Sequence, residues 1–231
     1  MIKAIAFDAD DTLWENEQFY RLTESEFHRL LSDHAETDHL EQRLLEAERR
    51  NLALYGYGIK GFMLSMIETA IEVTRGNISA QSIGAILAIG KNLLEHPIEL
   101  IPGARETLDS LSGDYKLILI TKGDLFDQER KIAQSGLADR FDAIEIVADK
   151  SAETYERIFK QHDIKAPGAL MVGNSLKSDI VPVLETGGWA AFIPHNLTWA
   201  LEHVDEPIDH PRYNKIAGLA DLPALLEAIT G

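Results

Sequence analysis

The chain has 231 residues, of which 45% are hydrophobic and 26% charged, and its formal net charge is −16. This length is enough for one sizeable core and a smaller second module. A strongly negative surface repels nucleic acids and anionic membranes, so we expect neither as a partner. The absence of cysteine excludes disulfides, thiolate catalysis and zinc–thiolate sites.

The beginning of the chain carries no sign of a targeting segment. Its first seven residues, Met-Ile-Lys-Ala-Ile-Ala-Phe, run directly into acidic residues and lack the apolar region and cleavage site of a signal peptide. No apolar stretch approaches the ~20 residues that span a bilayer. We therefore expect a soluble, cytoplasmic protein.

Five short apolar runs predict buried strands. They lack a clean alternation of apolar and polar residues, as expected for strands that are covered on both faces. Helical patterns separate the last four runs, and this order indicates a parallel sheet with right-handed crossovers. The five runs are residues 2–7, 115–120, 143–147, 169–172 and 190–193.

Capping residues mark the helices that connect these strands. Asp124 is expected to begin one helix, which Gly136 closes, and Ser151 is expected to begin the next. Further helical patterns cover residues 104–111, the region around residues 180–184, and residues 221–229.

The segment of residues 16–97 breaks this alternation and contains no convincing strand. Apolar residues recur there at helical spacing, for example Met63 and Met66. The pattern predicts a four-helix module inserted after the first strand, and Pro97 marks the return to the sheet. Near the end of the chain, residues 194–217 are rich in His, Pro and Asp, and we expect a surface excursion there.

Polar residues follow four of the predicted strands. Because an open α/β sheet binds its ligand at the carboxyl ends of its strands, we expect these side chains to form one site. Two carboxylates can divide nucleophilic attack and proton transfer between them, and a divalent cation can hold both in register. The residues at these strand ends are Asp8, Asp10, Thr121, Lys122, Lys150, Asn174 and Asp179.

With these motifs in this order and spacing, the chain resembles the haloacid dehalogenase superfamily, specifically its phosphatase branch with a helical cap. The resemblance implies an α/β fold, with a Rossmann-like parallel-sheet core and a cap domain inserted after the first strand. The core domain would comprise residues 1–15 and 98–231, and the helical cap domain residues 16–97. The implied activity is Mg²⁺-dependent hydrolysis of a small phosphorylated metabolite.

The resemblance also implies an aspartyl-phosphate mechanism with a role for each residue. Asp8 would attack the phosphorus, and Asp10 would protonate the leaving alcohol and later deprotonate the hydrolytic water. Thr121 would donate a hydrogen bond to the phosphoryl group. Lys150 would neutralise the charge between nucleophile and phosphate, and Lys122 competes for this role.

A metal ion is needed because Asp8 and a phosphate dianion repel each other, at a cost on the order of 4 kcal/mol per like-charge pair at ~4 Å. The expected ligands of Mg²⁺, or of Mn²⁺ in its place, are the Asp8 side chain, the Asp10 backbone carbonyl and the fourth motif. This motif departs from the usual Gly-Asp pair, because Asn174 stands at the first position. Whether Asn174 or Asp179 contacts the metal stays open, and Asp179 has an alternative role as an acidic residue in a first helical turn.

The inserted module contains a glycine-rich segment at residues 56–61. Tyr57 or Lys60 would contact the substrate if this segment reaches it, and an ordinary turn between helices is the alternative. The sequence does not distinguish a monomer from a homodimer.

Other chemistries of the superfamily stay open at this point. A 2-haloacid dehalogenase would keep Asp8 but has no need of Asp10 or a metal. A phosphonatase would need a lysine that forms a Schiff base, such as Lys60 or Lys91, and a phosphomutase would return the phosphoryl group to a sugar. A non-catalytic metal-binding regulatory module is the alternative outside enzymes, and the asparagine at position 174 is the one feature that favours it.

Overall fold

The structure is a computed structural model that describes residues 1–230, and the chain divides into two compact units. The first unit comprises residues 1–17 and the chain from residue 98 onward, and the second comprises Gln18–Pro97. Each unit has its own hydrophobic core. The unit boundaries lie within two residues of the predicted domain boundaries.

The second unit is helical. Its core contains the buried residues Phe27, Leu40, Phe62 and Met66, which come from the first three helices. Its elements are α1 (Glu17–Leu31, which begins in the first unit), α2 (Thr37–Tyr55), α3 (Ile59–Val73) and α4 (Ala80–Glu95). These four elements agree with the predicted four-helix pattern.

The first unit is built on a parallel sheet. Over the described residues its strands are β1 (Ala4–Phe7), β2 (Lys116–Lys122), β3 (Ala143–Val147), β4 (Ala169–Gly173), β5 (Trp189–Phe192) and β6 (Tyr213–Lys215). Their order across the sheet is β3-β2-β1-β4-β5-β6. The first five strands were predicted, and their ends shift by at most two residues. The α/β prediction is confirmed.

Strand β6 corrects the prediction for residues 194–217, which contain this strand rather than surface excursion alone. Tyr213 pairs with Ala190 and Lys215 with Phe192, so β6 extends the sheet at one edge. The strand is three residues long and only partly buried. Such a segment has no apolar run, and hydrophobic pattern therefore does not reveal it.

Helices cover both faces of the sheet. Adjacent residues of β1 point to opposite sides, so Phe7 packs in one hydrophobic cluster and Ala6 in another. The predicted caps are confirmed, because the side chains of Asp124 and Ser151 each accept a backbone hydrogen bond at a helix start. The helices are α5 (Ala104–Leu111), α6 (Leu125–Ser135), α7 (Ala152–Gln161), α8 (Val181–Glu185) and α9 (Leu222–Thr230).

A π-helical turn at Leu176–Ile180 precedes α8 and belongs to the loop that follows β4. β1 lies between β2 and β4, with Phe7 aligned to Leu119 and Val172. The chain therefore leaves β1 between the ends of two neighbouring strands, where polar loop residues meet. Across the described part of the chain, no helix has both the length and the apolar character needed to cross a membrane.

Candidate active site

Asp8 lies in a buried cluster of charged side chains at the end of β1. Its Oδ1 atom is 2.5 Å from the Nζ atom of Lys150, which is also 2.7 Å from Oδ1 of Asp179. The hydroxyl of Thr12 donates a hydrogen bond to Oδ2 of Asp8 at 3.0 Å. One ammonium group thus joins two carboxylates that come from different strand ends.

The charges of this cluster determine how its members titrate. Burial, together with the charge of Asp179, raises the pKa of Asp8 to about 7, although the charge and hydrogen bond of Lys150 lower it. Burial alone would lower the pKa of Lys150, but the two carboxylates raise it above its ordinary value. Lys150 is therefore a fixed cation beside Asp8.

Asp179 reaches Lys150 because of the glycine at the end of β4. A Cβ atom at Gly173 would lie 2.3 Å from Oδ2 of Asp179, so the close approach of this carboxylate requires glycine. The same oxygen accepts a hydrogen bond from the backbone N–H of Ser175 at 3.0 Å. Asp179 thus joins the loop after β4 to Lys150.

Asn174 faces Asp8 and the backbone of Asp10. In the amide orientation that satisfies its hydrogen bonds, its nitrogen is 3.1 Å from the carbonyl oxygen of Asp10 and 3.2 Å from Oδ2 of Asp8. The same nitrogen is 3.1 Å from the hydroxyl oxygen of Thr12. Of the two residues that the sequence left as possible ligands, Asn174 is the one beside these two oxygens, whereas Asp179 contacts Lys150.

The donor set at this point fits Mg²⁺. The Asp8 carboxylate and the Asp10 carbonyl lie around one amide, and that amide can present its oxygen in place of its nitrogen. Oxygen atoms of carboxylate, carbonyl and amide groups are the ligands that Mg²⁺ prefers, and it retains several waters besides. Asp8, Asp10 and Asn174 are therefore the residues that would hold the ion.

The side chain of Asp10 contacts two residues of α6 and Trp14 rather than the cluster around Lys150. Both of its oxygens contact the ammonium group of Lys131, at 2.6 and 2.8 Å. Gln128 donates to Oδ2 at 2.8 Å, and the indole N–H of Trp14 donates to Oδ1 at 2.7 Å. Burial raises the pKa of Asp10, but the charge and hydrogen bond of Lys131, together with the hydrogen bonds of Gln128 and Trp14, outweigh this and lower it.

The two residues at the end of β2 have different surroundings. Thr121 is buried and is aligned with Ile146 of β3. The Nζ atom of Lys122 is 2.6 Å from the hydroxyl of Ser178 and 2.7 Å from Oε1 of Glu202. The structure therefore brings Lys150 to Asp8 and pairs Lys122 with Glu202.

The two residues of the glycine-rich segment lie in the helical unit. Tyr57 is half-buried in the turn between α2 and α3, and Lys60 is exposed in the first turn of α3. The segment is thus a short turn followed directly by a helix.

Among the residues that contact the predicted site residues, sequence reasoning missed Gln128, Lys131 and Glu202. The first two carry a signal, because they lie three residues apart on the face of α6 that also buries Ile132. A lysine and a glutamine on the apolar face of a helix indicate buried polar partners. Glu202 carries no such signal, because it lies in the loop between β5 and β6.

Another group of potential ligands lies near the end of β1. Oxygen and nitrogen atoms of Asp11, Glu15 and His195 approach within 4.8 Å of one another. The Asp11 carboxylate already accepts backbone hydrogen bonds from Asn16 and Glu17. Burial lowers the pKa of His195, but the Leu197 carbonyl and the two carboxylates outweigh this and raise it, which favours the charged imidazolium 3.3 Å from Glu15.

The fold and the charged cluster define a Rossmann-like α/β protein whose site lies at the carboxyl ends of parallel strands. The chain belongs to the haloacid dehalogenase-like hydrolase family, whose sequence model matches residues 2–182. It is therefore a hydrolase, and the resemblance seen in the sequence is confirmed.

Individual relatives agree with this assignment. A haloacid dehalogenase-like family hydrolase from Xanthomonas campestris is 44% identical and superposes with a TM-score of 0.89, over 99% of this chain and 91% of the other. The N-acylneuraminate-9-phosphatase of Mus musculus is 24% identical over 99% of this chain and 95% of its own length. The glyceraldehyde 3-phosphate phosphatase of Methanothermobacter thermautotrophicus is 24% identical over 89% of this chain and 92% of its own length.

Proposed function

We propose that the protein is a Mg²⁺-dependent phosphatase that hydrolyses a small phosphate monoester through an aspartyl-phosphate intermediate. The contact of the Asp8 carboxylate with the Lys150 ammonium at 2.5 Å carries this proposal. It places a potential nucleophile beside a fixed cation in a buried site. The two related phosphatases, whose names specify small phosphorylated compounds, support the same substrate class.

In the first step, a carboxylate oxygen of Asp8 attacks the phosphorus and the bond from phosphorus to the leaving oxygen breaks. The leaving oxygen takes the electron pair of that bond and a proton from Asp10. Lys150 offsets the negative charge on the phosphoryl oxygens, and the hydroxyl of Thr121 donates a hydrogen bond to one of them. Lys122, which follows Thr121 in β2, adds a further positive charge for binding of the phosphoryl group.

In the second step, water attacks the phosphorus of the acyl phosphate, Asp10 takes the proton of the water, and the Asp8 carboxylate is released. The contact with Lys131 favours the anionic form of Asp10, which is the form that accepts this proton. For the first step Asp10 has to carry a proton, and it has to turn from Lys131 toward the leaving oxygen.

A metal ion completes the charge balance of the site. When bound by Asp8, Asp10 and Asn174, Mg²⁺ supplies the positive charge that offsets the repulsion between carboxylate and phosphate. The amide of Asn174 leaves one negative charge fewer than an aspartate would, so we propose weaker metal binding than in a site with a third carboxylate.

The helical unit is proposed to supply contacts to the organic part of the substrate through Tyr57 and Lys60. Tyr57 is partly exposed and Lys60 is exposed, so both side chains are accessible to a ligand, and this accessibility supports the proposed role. Replacement of either side chain should then raise KM for a particular substrate and leave kcat for p-nitrophenyl phosphate within about twofold.

The test is a screen of phosphorylated metabolites for phosphate release with Mg²⁺ and with EDTA, and it should include N-acylneuraminate 9-phosphate, glyceraldehyde 3-phosphate and p-nitrophenyl phosphate. Asp8→Asn should abolish turnover, whereas Asp33→Asn, at an exposed position in the helical unit, should not change it. Acid quench of the wild-type reaction with a labelled substrate should place the label on Asp8. Chloride release from 2-chloropropionate without phosphate release from any ester would instead identify a dehalogenase.

A further inference from the structure

The side chain of Glu202, which lies beyond the residues matched by the family model, contacts the edge of the candidate active site. Glu202 lies in a short 3-10 turn, Ala200–Glu202, between β5 and β6, whereas the family model ends at residue 182. Its side chain is 9% exposed. A charged group this deeply buried needs several partners to remain stable.

The partners of Glu202 divide between its two oxygens. Oε1 contacts the Nζ atom of Lys122 at 2.7 Å. Oε2 accepts hydrogen bonds from the hydroxyls of Ser175 and Ser178, at 2.6 and 2.5 Å. One oxygen thus balances a charge at the end of β2, and the other binds the loop after β4.

We propose that Glu202 is a positioning residue for the loop that presents Asn174 and Asp179, an inference that rests on the proposed function of this loop in holding Mg²⁺. Ser175 follows Asn174 directly, and its backbone N–H binds Asp179 at 3.0 Å. Ser178 precedes Asp179 directly. Each of the two serines bound to Glu202 is therefore adjacent in sequence to one residue of the fourth motif.

Because one oxygen of Glu202 binds Lys122 and the other binds the two serines, variants can test the contact with the serines separately from the pairing of charges. Glutamine at position 202 keeps an oxygen that can accept from both serines, whereas alanine keeps none. Methionine at position 122 removes the cation, so that neither replacement leaves a buried charge unpaired. Among the groups that contact the serines, Glu202→Gln and Glu202→Ala in the Lys122→Met background thus differ in whether an acceptor oxygen is present.

The experiment is calorimetric titration of these full-length variants with Mg²⁺, together with their thermal midpoints and kcat. We expect Glu202→Ala in the Lys122→Met background to raise the Kd for Mg²⁺ about tenfold relative to Glu202→Gln in the same background. Ser178→Ala in the wild-type background should also raise the Kd for Mg²⁺. This variant tests the same contact if the double variant with alanine at position 202 does not fold.

Glu206→Gln is the matched control, because Glu206 lies on the same excursion but binds Tyr213 and Lys215. It should leave the Kd unchanged. Equal Kd values for the two double variants, or an unchanged Kd in Ser178→Ala, would overturn the positioning role while wild-type phosphatase activity stands. A wild-type protein that neither binds Mg²⁺ nor releases phosphate would overturn the proposed function and this inference together.

Discussion

The ammonium group of Lys131 contacts both carboxylate oxygens of Asp10, at 2.6 and 2.8 Å. The charge of Lys131 is the main factor that lowers the pKa of Asp10 against the effect of burial. Lys131→Met should therefore raise this pKa, and the pH dependence of kcat should move to higher pH by about one unit or more. A pH–rate profile for an alkyl phosphate measures the shift, and Lys131→Arg should restore the wild-type profile.

The neighbouring residue on the same helix provides the control for this experiment. Arg130 pairs with Asp127 within α6 rather than with Asp10. Arg130→Met should leave the pH profile in place. An unshifted profile in Lys131→Met would mean that Asp10 is not the group whose titration limits turnover.

Local signals in the sequence were sufficient to predict most of the fold. Asp124 and Ser151 accept their capping hydrogen bonds within three residues along the chain, so sequence alone contains both partners. Buried strands such as β1 appear as continuous apolar runs. Because Asp8 and Lys150 both follow the carboxyl ends of such strands, the sequence predicted that they lie at the same end of the sheet.

Partners that are distant in sequence were not predictable in the same way. Two lysines, Lys150 and Lys122, follow predicted strands. Which of them contacts Asp8 depends on the direction of each side chain in three dimensions. Thr121 and Lys122 are adjacent in β2 and so face opposite sides of the sheet. Glu202, the partner of Lys122, is 80 residues away in a loop without an apolar pattern. Charge and periodicity do not determine such a pair.

Removal of the cation at position 150 should affect both activity and stability. Lys150→Met leaves Asp8 and Asp179 buried without their shared partner, so we expect turnover to be lost and the free energy of unfolding to fall by about 3–5 kcal/mol. Urea unfolding measures the second effect. Adding Asp179→Asn should recover part of the stability but not the activity, and Lys160→Met, at an exposed position of α7, should change neither. Retained turnover in Lys150→Met would contradict its proposed role.

Asn174→Asp tests the placement of the metal. The added carboxylate would face Asp8 Oδ2 and the Asp10 carbonyl, so the Kd for Mg²⁺ should fall about tenfold. In EDTA the same charge is repelled by Asp8, and the thermal midpoint should lie below that of wild type. In Mg²⁺ the order of the two midpoints should reverse. Asn77→Asp, on the surface of the helical unit, should show neither effect, and an unchanged Kd in Asn174→Asp would place the ion elsewhere.

The pairing of Glu202 with Lys122 should give the protein a stability that depends on pH. Burial raises the pKa of Glu202, but Lys122 and the two serines outweigh this and hold it below its ordinary value. A carboxyl group with a lowered pKa in the folded state contributes stability that is complete above its unfolded value, and this contribution disappears as the pH falls through the folded value. At pH 7, wild type should therefore be more stable than Glu202→Gln by about 2 kcal/mol. The difference should shrink as the pH falls below 4.5, because protonated Glu202 is as neutral as glutamine. Urea midpoints of both proteins at several pH values measure it, and a difference that stays constant with pH would show that Glu202 carries no charge in the folded protein.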